Sequence, residues 1–172
     1  MKPPAGAARI RLLVLDVDGV LTDGVLVYGA AGEEVKRFHV RDGLGIQRAR
    51  RAGIEVAVIS GRASAAVTRR MSELGVTEVH QGASDKTGVF RGLVARLGLE
   101  PRAVAVMGDD LTDLPSMKEA GLGLAPADAA PEVRRAARWV ARSKGGHGAV
   151  REAVDMLLEA RSSRPSARGT RS

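Results

Sequence analysis

The fold is decided by the stretch RLLVLDVDGVLTDG, residues 11–24, in which an apolar run ends in two aspartates and a glycine. An uninterrupted run of aliphatic residues predicts a strand that is buried on both faces, as the strands of parallel sheets are. Asp16 and Asp18 follow this strand directly, at the edge of the sheet where open α/β folds bind their ligands. This stretch therefore predicts both a central strand and the position of a site.

Apolar runs of strand length alternate with segments of helical period along the rest of the chain. The predicted strands are Ile10–Leu15, Glu55–Ile59, Thr77–His80, Ala103–Met107, Gly121–Leu124 and Trp139–Ala141. The predicted helices are Leu44–Ala52, Ala63–Leu74, Lys86–Leu97, Leu111–Ala120, Pro131–Ala137 and Ala149–Ala160. This alternation predicts an α/β fold, a doubly wound Rossmann-like three-layer sandwich with a mainly parallel sheet.

Residues 24–38 depart from this alternation. Their sequence, GVLVYGAAGEEVKRF, alternates apolar and polar side chains on either side of a Gly-Ala-Ala-Gly turn, which predicts a β-hairpin. The hairpin is too short to be a second domain, so we expect a small flap beside the site. We therefore expect one domain over residues 1–161, followed by a disordered tail over residues 162–172.

The composition excludes several classes of protein. The chain has 172 residues, of which 44% are apolar and 27% charged, as is typical of one globular domain rather than a disordered or fibrous chain. It contains no cysteine, so disulfides, thiolate metal sites and thiol nucleophiles are excluded. Because it shows neither a secretory signal nor an apolar segment of about 20 residues, we expect a cytoplasmic protein with no membrane partner.

The formal net charge of +7 is concentrated at the C-terminal end. Arg161, Arg164, Arg168 and Arg171 supply four of the positive charges and no acid follows Glu159, so the first 160 residues carry only +3. The tail is either solvated or in contact with a polyanion. Aromatic residues, which stack on bases, make up 2% of the chain, so we expect no nucleic-acid partner.

Polar residues follow four predicted strands at one edge of the sheet. They are Asp16 and Asp18, the sequence Ser60-Gly61-Arg62, Lys86, and the sequence Gly108-Asp109-Asp110 with Asp113. Each alone is also explained as a turn former, a helix cap or a solvated charge. Together, however, the carboxylates would repel one another unless a divalent cation and the lysine lay among them. This composition fits Mg²⁺ together with a phosphate group.

The set of motifs resembles that of the haloacid dehalogenase-like phosphohydrolases, which have Asp-x-Asp-Gly-Val, Ser-Gly-Arg, a lysine and Gly-Asp-Asp-x-x-Asp in this order. The stretches DVDGVLTDG, FHVRDGLGI, HQGASDK, GDDLTDLP and GGHGAVRE are similar to the minimal-cap branch that contains the 3-deoxy-D-manno-octulosonate 8-phosphate phosphatases. The resemblance runs from about Leu12 to Leu158. The chain departs from the branch at His39, where those enzymes have Asn, and in its Arg-rich tail.

The resemblance implies a Mg²⁺-dependent phosphatase that works through an aspartyl-phosphate. Asp16 is then the nucleophile, and Asp18 protonates the leaving alkoxide and afterwards deprotonates the attacking water. The family holds its cation with the side chains of Asp16 and Asp109 and the backbone carbonyl of Asp18.

The resemblance also implies how the phosphoryl group is held. Ser60 and the Gly61 N–H bind phosphoryl oxygens, and Lys86 neutralises the charge that spreads over them in the transition state. Asp110 and Asp113 surround this centre and orient Lys86 and the water around the cation.

The implied substrate is 3-deoxy-D-manno-octulosonate 8-phosphate, a precursor in lipopolysaccharide synthesis. Residues expected to bind its sugar acid are His39, Val40, Arg41, Asp42, Gly43, Gln47, Arg62 and Arg70, in addition to Asp18, Ser60, Gly61 and Lys86. Arginine suits a carboxylate because its guanidinium can bind both oxygens. Three alternatives stay open: a nonulosonate 9-phosphate as substrate, a catalytically silent assembly domain, and a phospho-acceptor signalling domain.

The resemblance implies an oligomer as well. A hairpin alone would leave the site open to water, and the family closes it in a homotetramer whose hairpins pack together. The Gly-Gly-His-Gly segment, residues 145–148, can then reach into a neighbouring subunit. We expect the same assembly for this chain.

Overall fold

The structure, a computed structural model, describes residues 2–163. Its main sheet contains β1 (Leu12–Leu15), β4 (Glu55–Ile59), β5 (Glu78–His80), β6 (Val104–Met107), β7 (Leu122–Ala125) and β8 (Trp139–Val140). The order is β5-β4-β1-β6-β7-β8, and every pairing is parallel. A separate hairpin contains β2 (Val27–Tyr28) and β3 (Glu34–Val35).

Among the described residues, six α-helices cover the sheet. They are α1 (Val40–Arg51), α2 (Ala65–Glu73), α3 (Lys86–Arg96), α4 (Leu114–Glu119), α5 (Pro131–Ala136) and α6 (Ala149–Ser162). Leu13 and Leu15 of β1 belong to the apolar cluster that includes α1, α2 and α6, whereas Leu12 and Val14 belong to the cluster that includes α3, α4 and α5. Because successive side chains of a strand point to opposite faces, β1 lies between two layers of helices. The predicted doubly wound three-layer sandwich is confirmed.

The predicted flap is also observed. In the hairpin Val27 pairs with Val35 and Tyr28 with Glu34, in antiparallel register. The apolar side chains on one side of the hairpin face outward, since Val25, Val27 and Val35 are all exposed. The flap therefore presents an apolar surface to solvent, which a folded monomer would ordinarily bury.

Several predicted boundaries shift by one or two residues, and the differences in three helices have a structural explanation or consequence. Helix α1 begins at Val40 rather than Leu44, because His39 caps it by accepting the Arg41 backbone N–H at 3.1 Å. The predicted helix Leu111–Ala120 is a 3₁₀ turn followed by the short α4. Helix α6 continues past Ala160, and Arg161, counted above with the tail charges, donates to the carbonyls of Ala52 and Ile10. The predicted tail from residue 164 onward, with Arg164, Arg168 and Arg171, lies outside the described residues.

Within residues 2–163, none of the helices combines the length and the apolar composition that crossing a bilayer requires.

Candidate active site

The carboxyl edge of the main sheet forms a cleft of about 510 Å³. Four strands deliver its polar side chains, since each of β1, β4 and β6 ends directly before the motif it carries and the loop after β5 leads to Lys86 at the start of α3. The predicted residues that line the cleft are Asp16, Asp18, Ser60, Gly61, Arg62, Lys86, Asp109 and Asp110. The topology thus brings together the residues expected to act on the phosphoryl group.

Lys86 occupies the centre of this cleft. Its Nζ lies 2.9 Å from Asp16 Oδ1 and 2.8 Å from Asp113 Oδ1, and its side chain is only 12% exposed. Burial alone would lower the pKa of Lys86, but the attraction of Asp16 and Asp113 outweighs burial and raises it. The lysine is therefore a fixed positive charge beside Asp16.

Asp113 lies beneath the cleft and is buried. Its Oδ1 accepts from Lys86, while its Oδ2 accepts the backbone N–H of Asp109 at 3.1 Å. Asp110 completes a capping box with Asp113 at the 3₁₀ turn, Leu111–Asp113. With both oxygens engaged, Asp113 is placed to hold Lys86 and the turn that carries Asp109.

The acidic residues crowd one another. Carboxylate oxygens of Asp16, Asp109 and Asp113 lie within 4.8 Å of one another. Burial, together with repulsion from Asp113, raises the pKa of Asp16 to about 6 despite the opposing effect of Lys86. Burial, together with repulsion from Asp16 and Asp113, raises the pKa of Asp109 to about 8.

This donor set fits Mg²⁺, a hard cation that takes oxygen ligands. A divalent cation would lower the repulsion that raises the pKa values of Asp16 and Asp109. The Asp109 carboxylate also lies against Gly19, where an added Cβ would collide with it. Only glycine at this position lets the β1 loop approach Asp109 so closely.

Without metal, the protein is expected to lose stability as the pH rises from about 4 to about 8. The unfolded carboxyls titrate near 3.8, whereas those of folded Asp16 and Asp109 titrate near 6 and 8. In this range the unfolded chain has lost protons that the folded protein keeps, so the free energy of unfolding falls with rising pH. Thermal unfolding in EDTA across this range measures the slope.

Mg²⁺ should restore the stability most strongly at the upper end of this range, where the carboxylates are free of protons. Asp109→Asn should flatten the pH dependence above about 6 and remove most of the shift with Mg²⁺. Asp155→Asn, which alters a half-exposed carboxyl on α6, should leave both unchanged. A melting temperature that does not respond to Mg²⁺ at pH 8 would contradict the cation site.

Asp18 is held by the flap. Its Oδ1 accepts from Lys36 Nζ at 2.5 Å, and Lys36 also lies 3.1 Å from Glu34 Oε1. Arg62 donates to the same Glu34 oxygen at 3.1 Å. Glu34 and Lys36 are not among the residues that the sequence motifs predict for the site, although the alternation of the flap places these two residues on one side of the hairpin.

The other residues expected to bind the sugar acid lie away from the cleft. His39, Asp42, Gly43 and Arg70 border a small recess between the base of the flap, α1 and α2. Val40 and Arg41 are exposed on α1, and Gln47 is half-buried there. Arg70 pairs with Glu73 at 3.2 Å. Contact of these residues with a substrate stays a prediction.

The Asp42 side chain connects α1 to the start of α6 through hydrogen bonds. Its carboxylate is buried and accepts the Arg151 N–H at 2.8 Å and the Gly148 N–H at 3.1 Å, at the start of α6. Burial raises the pKa of Asp42, although these backbone donors oppose the rise. A carboxylate at a helix N-terminus satisfies donors that the helix itself leaves free.

Asp42→Ala is therefore expected to lower the free energy of unfolding by about 3 kcal/mol, because it leaves one buried and one partly buried N–H group without acceptors. Asp155→Ala is the matched control, since Asp155 of α6 pairs with Arg48 of α1 at the surface. It should cost less than about 1 kcal/mol. Urea unfolding compares the two variants, and equal losses would show that Asp42 contributes no more than a surface ion pair.

Residues 145–148 fold back on their own chain. The Gly145 N–H donates to Asp128 at 2.9 Å and the Gly146 N–H to the Val20 carbonyl at 3.0 Å. A Cβ added at Gly145 would collide with the Gly19 carbonyl. The segment therefore supports the loop that carries Asp18, while His147 is exposed.

Comparison with known proteins agrees with this geometry. The model of the haloacid dehalogenase-like hydrolase family matches residues 39–121. The 3-deoxy-D-manno-octulosonate 8-phosphate phosphatase of Escherichia coli K12 is 48% identical over 165 residues, covering 96% of this chain and 88% of that protein. The Yersinia pestis phosphatase of the same name is 47% identical over 163 residues, with coverages of 95% and 87%.

Solved structures give the same result. The crystal structure of the Yersinia pestis phosphatase superposes with a TM-score of 0.89 at 47% identity and covers 91% of this chain and 85% of that one. The phosphatase of Moraxella catarrhalis was crystallised with a magnesium ion, a phosphate ion and a KDO molecule. It superposes with a TM-score of 0.89 at 41% identity, with coverages of 91% and 90%.

Proposed function

The chain belongs to the 3-deoxy-D-manno-octulosonate 8-phosphate phosphatases of the haloacid dehalogenase-like hydrolase family, and we propose that it hydrolyses this ester to the free sugar acid and inorganic phosphate. The observation that carries the proposal is the buried Lys86, paired with Asp16 and Asp113 beside Asp109. A fixed ammonium next to a nucleophilic carboxylate and a cation site is the arrangement that phosphoryl transfer requires.

The cofactor of this reaction is Mg²⁺. The side chains of Asp16 and Asp109 and the backbone carbonyl of Asp18 would hold it, and the Moraxella catarrhalis phosphatase, with its magnesium ion, supports this choice. When bound, the cation supplies positive charge that lets an anionic carboxylate approach an anionic phosphoryl group.

Asp16 and Asp18 divide the chemistry between them. A carboxylate oxygen of Asp16 bonds to phosphorus while the ester P–O bond breaks, and Asp18 gives its proton to the departing alkoxide. Asp18 then takes a proton from the water whose oxygen attacks phosphorus, and the bond from phosphorus to Asp16 breaks. The free sugar acid and inorganic phosphate are the products.

The remaining cleft residues hold the phosphoryl group. Lys86 stabilises the charge that develops on its oxygens. Ser60 is buried and its Oγ accepts the Arg62 backbone N–H at 3.3 Å, which leaves the hydroxyl proton free to donate to phosphate. The Gly61 N–H is a second donor, and Asp110 and Asp113 position Lys86 and the Asp109 turn.

The test is phosphate release with Mg²⁺ from the octulosonate 8-phosphate, a nonulosonate 9-phosphate and simple hexose phosphates. We expect kcat/KM for the first to exceed that for the others at least about tenfold, as a substrate that pairs fully with the site should. A preference for the nonulosonate ester would keep the reaction and change the substrate. Failure to release phosphate from any of them would favour a silent assembly domain.

The same enzyme is proposed to be a homotetramer that assembles through its flaps, with one domain per chain over residues 1–161. The exposed apolar flap surface supports this, because Val25 is 60% exposed and Val27 is 43% exposed. A charged, phosphorylated substrate stays in the compartment in which it is made, which supports a cytoplasmic location.

Light scattering of the double variant Val25→Asp/Val27→Asp tests the assembly. We expect this variant to dissociate and to lose activity, whereas Ala30→Asp, at the tip of the flap turn, should keep the wild-type mass. A wild-type protein that is monomeric at micromolar concentration and fully active would refute the tetramer.

A further inference from the structure

The flap carries two charged residues on the side opposite to its apolar surface. The side chain of Lys36 is only 3% exposed and that of Glu34 only 13%, whereas Val35 between them is 43% exposed. Alternation along a strand explains why Glu34 and Lys36 share one side. A flap that only covered a cleft would not need a buried ammonium group, which is costly to remove from water unless it is paired.

Lys36 has two partners, and one of them is Asp18. Its Nζ lies 2.5 Å from Asp18 Oδ1 and 3.1 Å from Glu34 Oε1. Burial would lower the pKa of Lys36, but these two carboxylates raise it by more. The ammonium group is therefore charged and links the flap to a residue of the reaction centre.

The second oxygen of Asp18 has a different environment. Arg62 Nε lies 3.7 Å from Asp18 Oδ2, which is too far for a hydrogen bond. Arg62 is instead hydrogen-bonded to Glu34, the residue that also contacts Lys36. Lys36 thus engages Oδ1 and leaves Oδ2 available to the cleft that Asp18 lines.

We propose that Lys36 is a positioning residue that holds Asp18 through Oδ1, so that Oδ2 is the oxygen that gives and takes the proton. Glu34 contacts both Lys36 and Arg62, so the position of the flap and the alignment of Asp18 depend on each other. This inference rests on the proposed function, because it requires Asp18 to transfer protons.

The two chemical steps respond differently to a misplaced Asp18. An alkyl ester needs a proton on its leaving oxygen, whereas p-nitrophenolate is a weak base that leaves without one. Hydrolysis of the aspartyl-phosphate requires Asp18 to take a proton from water with either substrate. A variant with a misplaced Asp18 should therefore form the phosphoenzyme from p-nitrophenyl phosphate at a normal rate and hydrolyse it slowly.

The experiment is stopped-flow release of p-nitrophenolate by Lys36→Met with Mg²⁺. We expect a burst of about one equivalent per site, followed by a steady rate about 10- to 100-fold below wild type. Because only the second step slows, KM should fall in parallel, so that kcat/KM changes less than about threefold. Lys36→Arg, which can still reach a carboxylate, should recover most of the rate. Arg37→Met, whose side chain is 77% exposed on the same flap, should behave as wild type.

A double-mutant cycle with Asp18→Asn tests whether the two residues act together. If Lys36 works only through Asp18, Lys36→Met should lower the rate less than about twofold in the Asp18→Asn background. Multiplicative losses, or a slow Lys36→Met variant without a burst, would overturn the proposal. If Lys36→Met does not fold, as judged by circular dichroism, Lys36→Gln takes its place in both measurements.

The choice of p-nitrophenyl phosphate separates this inference from the substrate proposal. Turnover of the aryl ester needs the phosphoryl centre but no contact with a sugar acid. Wild-type protein that hydrolyses the aryl ester but not the octulosonate ester would disprove the substrate and leave the Lys36 result interpretable. An unchanged aryl esterase rate in Lys36→Met would disprove the positioning role alone.

Discussion

Asp16→Asn is expected to lower phosphate release at least about a thousandfold, because an amide cannot attack phosphorus and form the phosphoenzyme. The substitution keeps the size of the side chain and an oxygen that can accept from Lys86, 2.9 Å away in the native protein. It also removes a carboxyl whose pKa burial raises to about 6. The melting temperature in EDTA should therefore stay within about 5 °C of wild type.

The control for this prediction is Asp155→Asn, an acid-to-amide change of the same size on α6. Asp155 pairs with Arg48 and Arg151 at the surface and should be fully dispensable for turnover. Phosphate release under single-turnover conditions with Mg²⁺ compares the variants. Residual activity of Asp16→Asn above a few per cent would mean that another group attacks phosphorus.

Lys86→Met is expected to show the second large effect, a loss of about 10³-fold in kcat together with lower stability. The ammonium group is the positive charge between Asp16 and Asp113, and its removal deprives the transition state of a fixed donor. It also leaves two buried carboxylates facing each other, which should cost about 3 kcal/mol at pH 8 without metal.

Added Mg²⁺ distinguishes the loss of stability in Lys86→Met from its loss of turnover. It should recover much of the stability of Lys86→Met, because a cation near Asp16 lowers the repulsion, but it should not recover turnover. Lys86→Arg should remain nearly inactive, since the planar guanidinium is too large for a group that is 12% exposed between two carboxylates. Wild-type kcat in Lys86→Arg would argue that only charge, and not position, matters here.

The sequence predicts the convergence of the cleft residues because strand topology determines it. The run of residues 12–15 is buried on both faces, which places it in the middle of a parallel sheet and Asp16 at its carboxyl end. The same rule places Asp109 after β6 and Lys86 after β5. Their convergence needs no knowledge of side-chain contacts, and the chain brings all three into one cleft.

Long-range contacts are what the sequence does not reveal. Its Arg-Asp-Gly motif makes Asp42 a candidate for binding the substrate. In the structure the Asp42 carboxylate instead accepts hydrogen bonds from the backbone N–H groups of Gly148 and Arg151, more than one hundred residues away along the chain. The sequence does not predict the early start of α1, because Gly43 and Gly45 weaken the helical pattern. In α1 both glycines lie where an added Cβ would meet Arg70 or Arg151.

The orientation of the flap is likewise not predictable from the sequence. Its alternation predicts a hairpin, but not which side of the hairpin faces the cleft. Charged residues are ordinarily placed toward solvent, and here Glu34 and Lys36 are the enclosed ones while Val27 and Val35 are exposed. The sequence pattern becomes informative only once Asp18 is known to lie 2.5 Å from Lys36.

The measurement that tests the central claim most directly is acid-quench trapping of the phosphoenzyme, with the octulosonate 8-phosphate as substrate and Mg²⁺ present. Mass spectrometry of the peptide that contains Asp16 should find a phosphoryl group there. With p-nitrophenyl phosphate, whose leaving group needs no proton, the phosphorylated fraction should rise in Asp18→Asn, which lacks the base for the second step. Steady phosphate release with no phosphorylated peptide in either protein would contradict Asp16 as the nucleophile, and with it the mechanism that joins the cleft to this reaction.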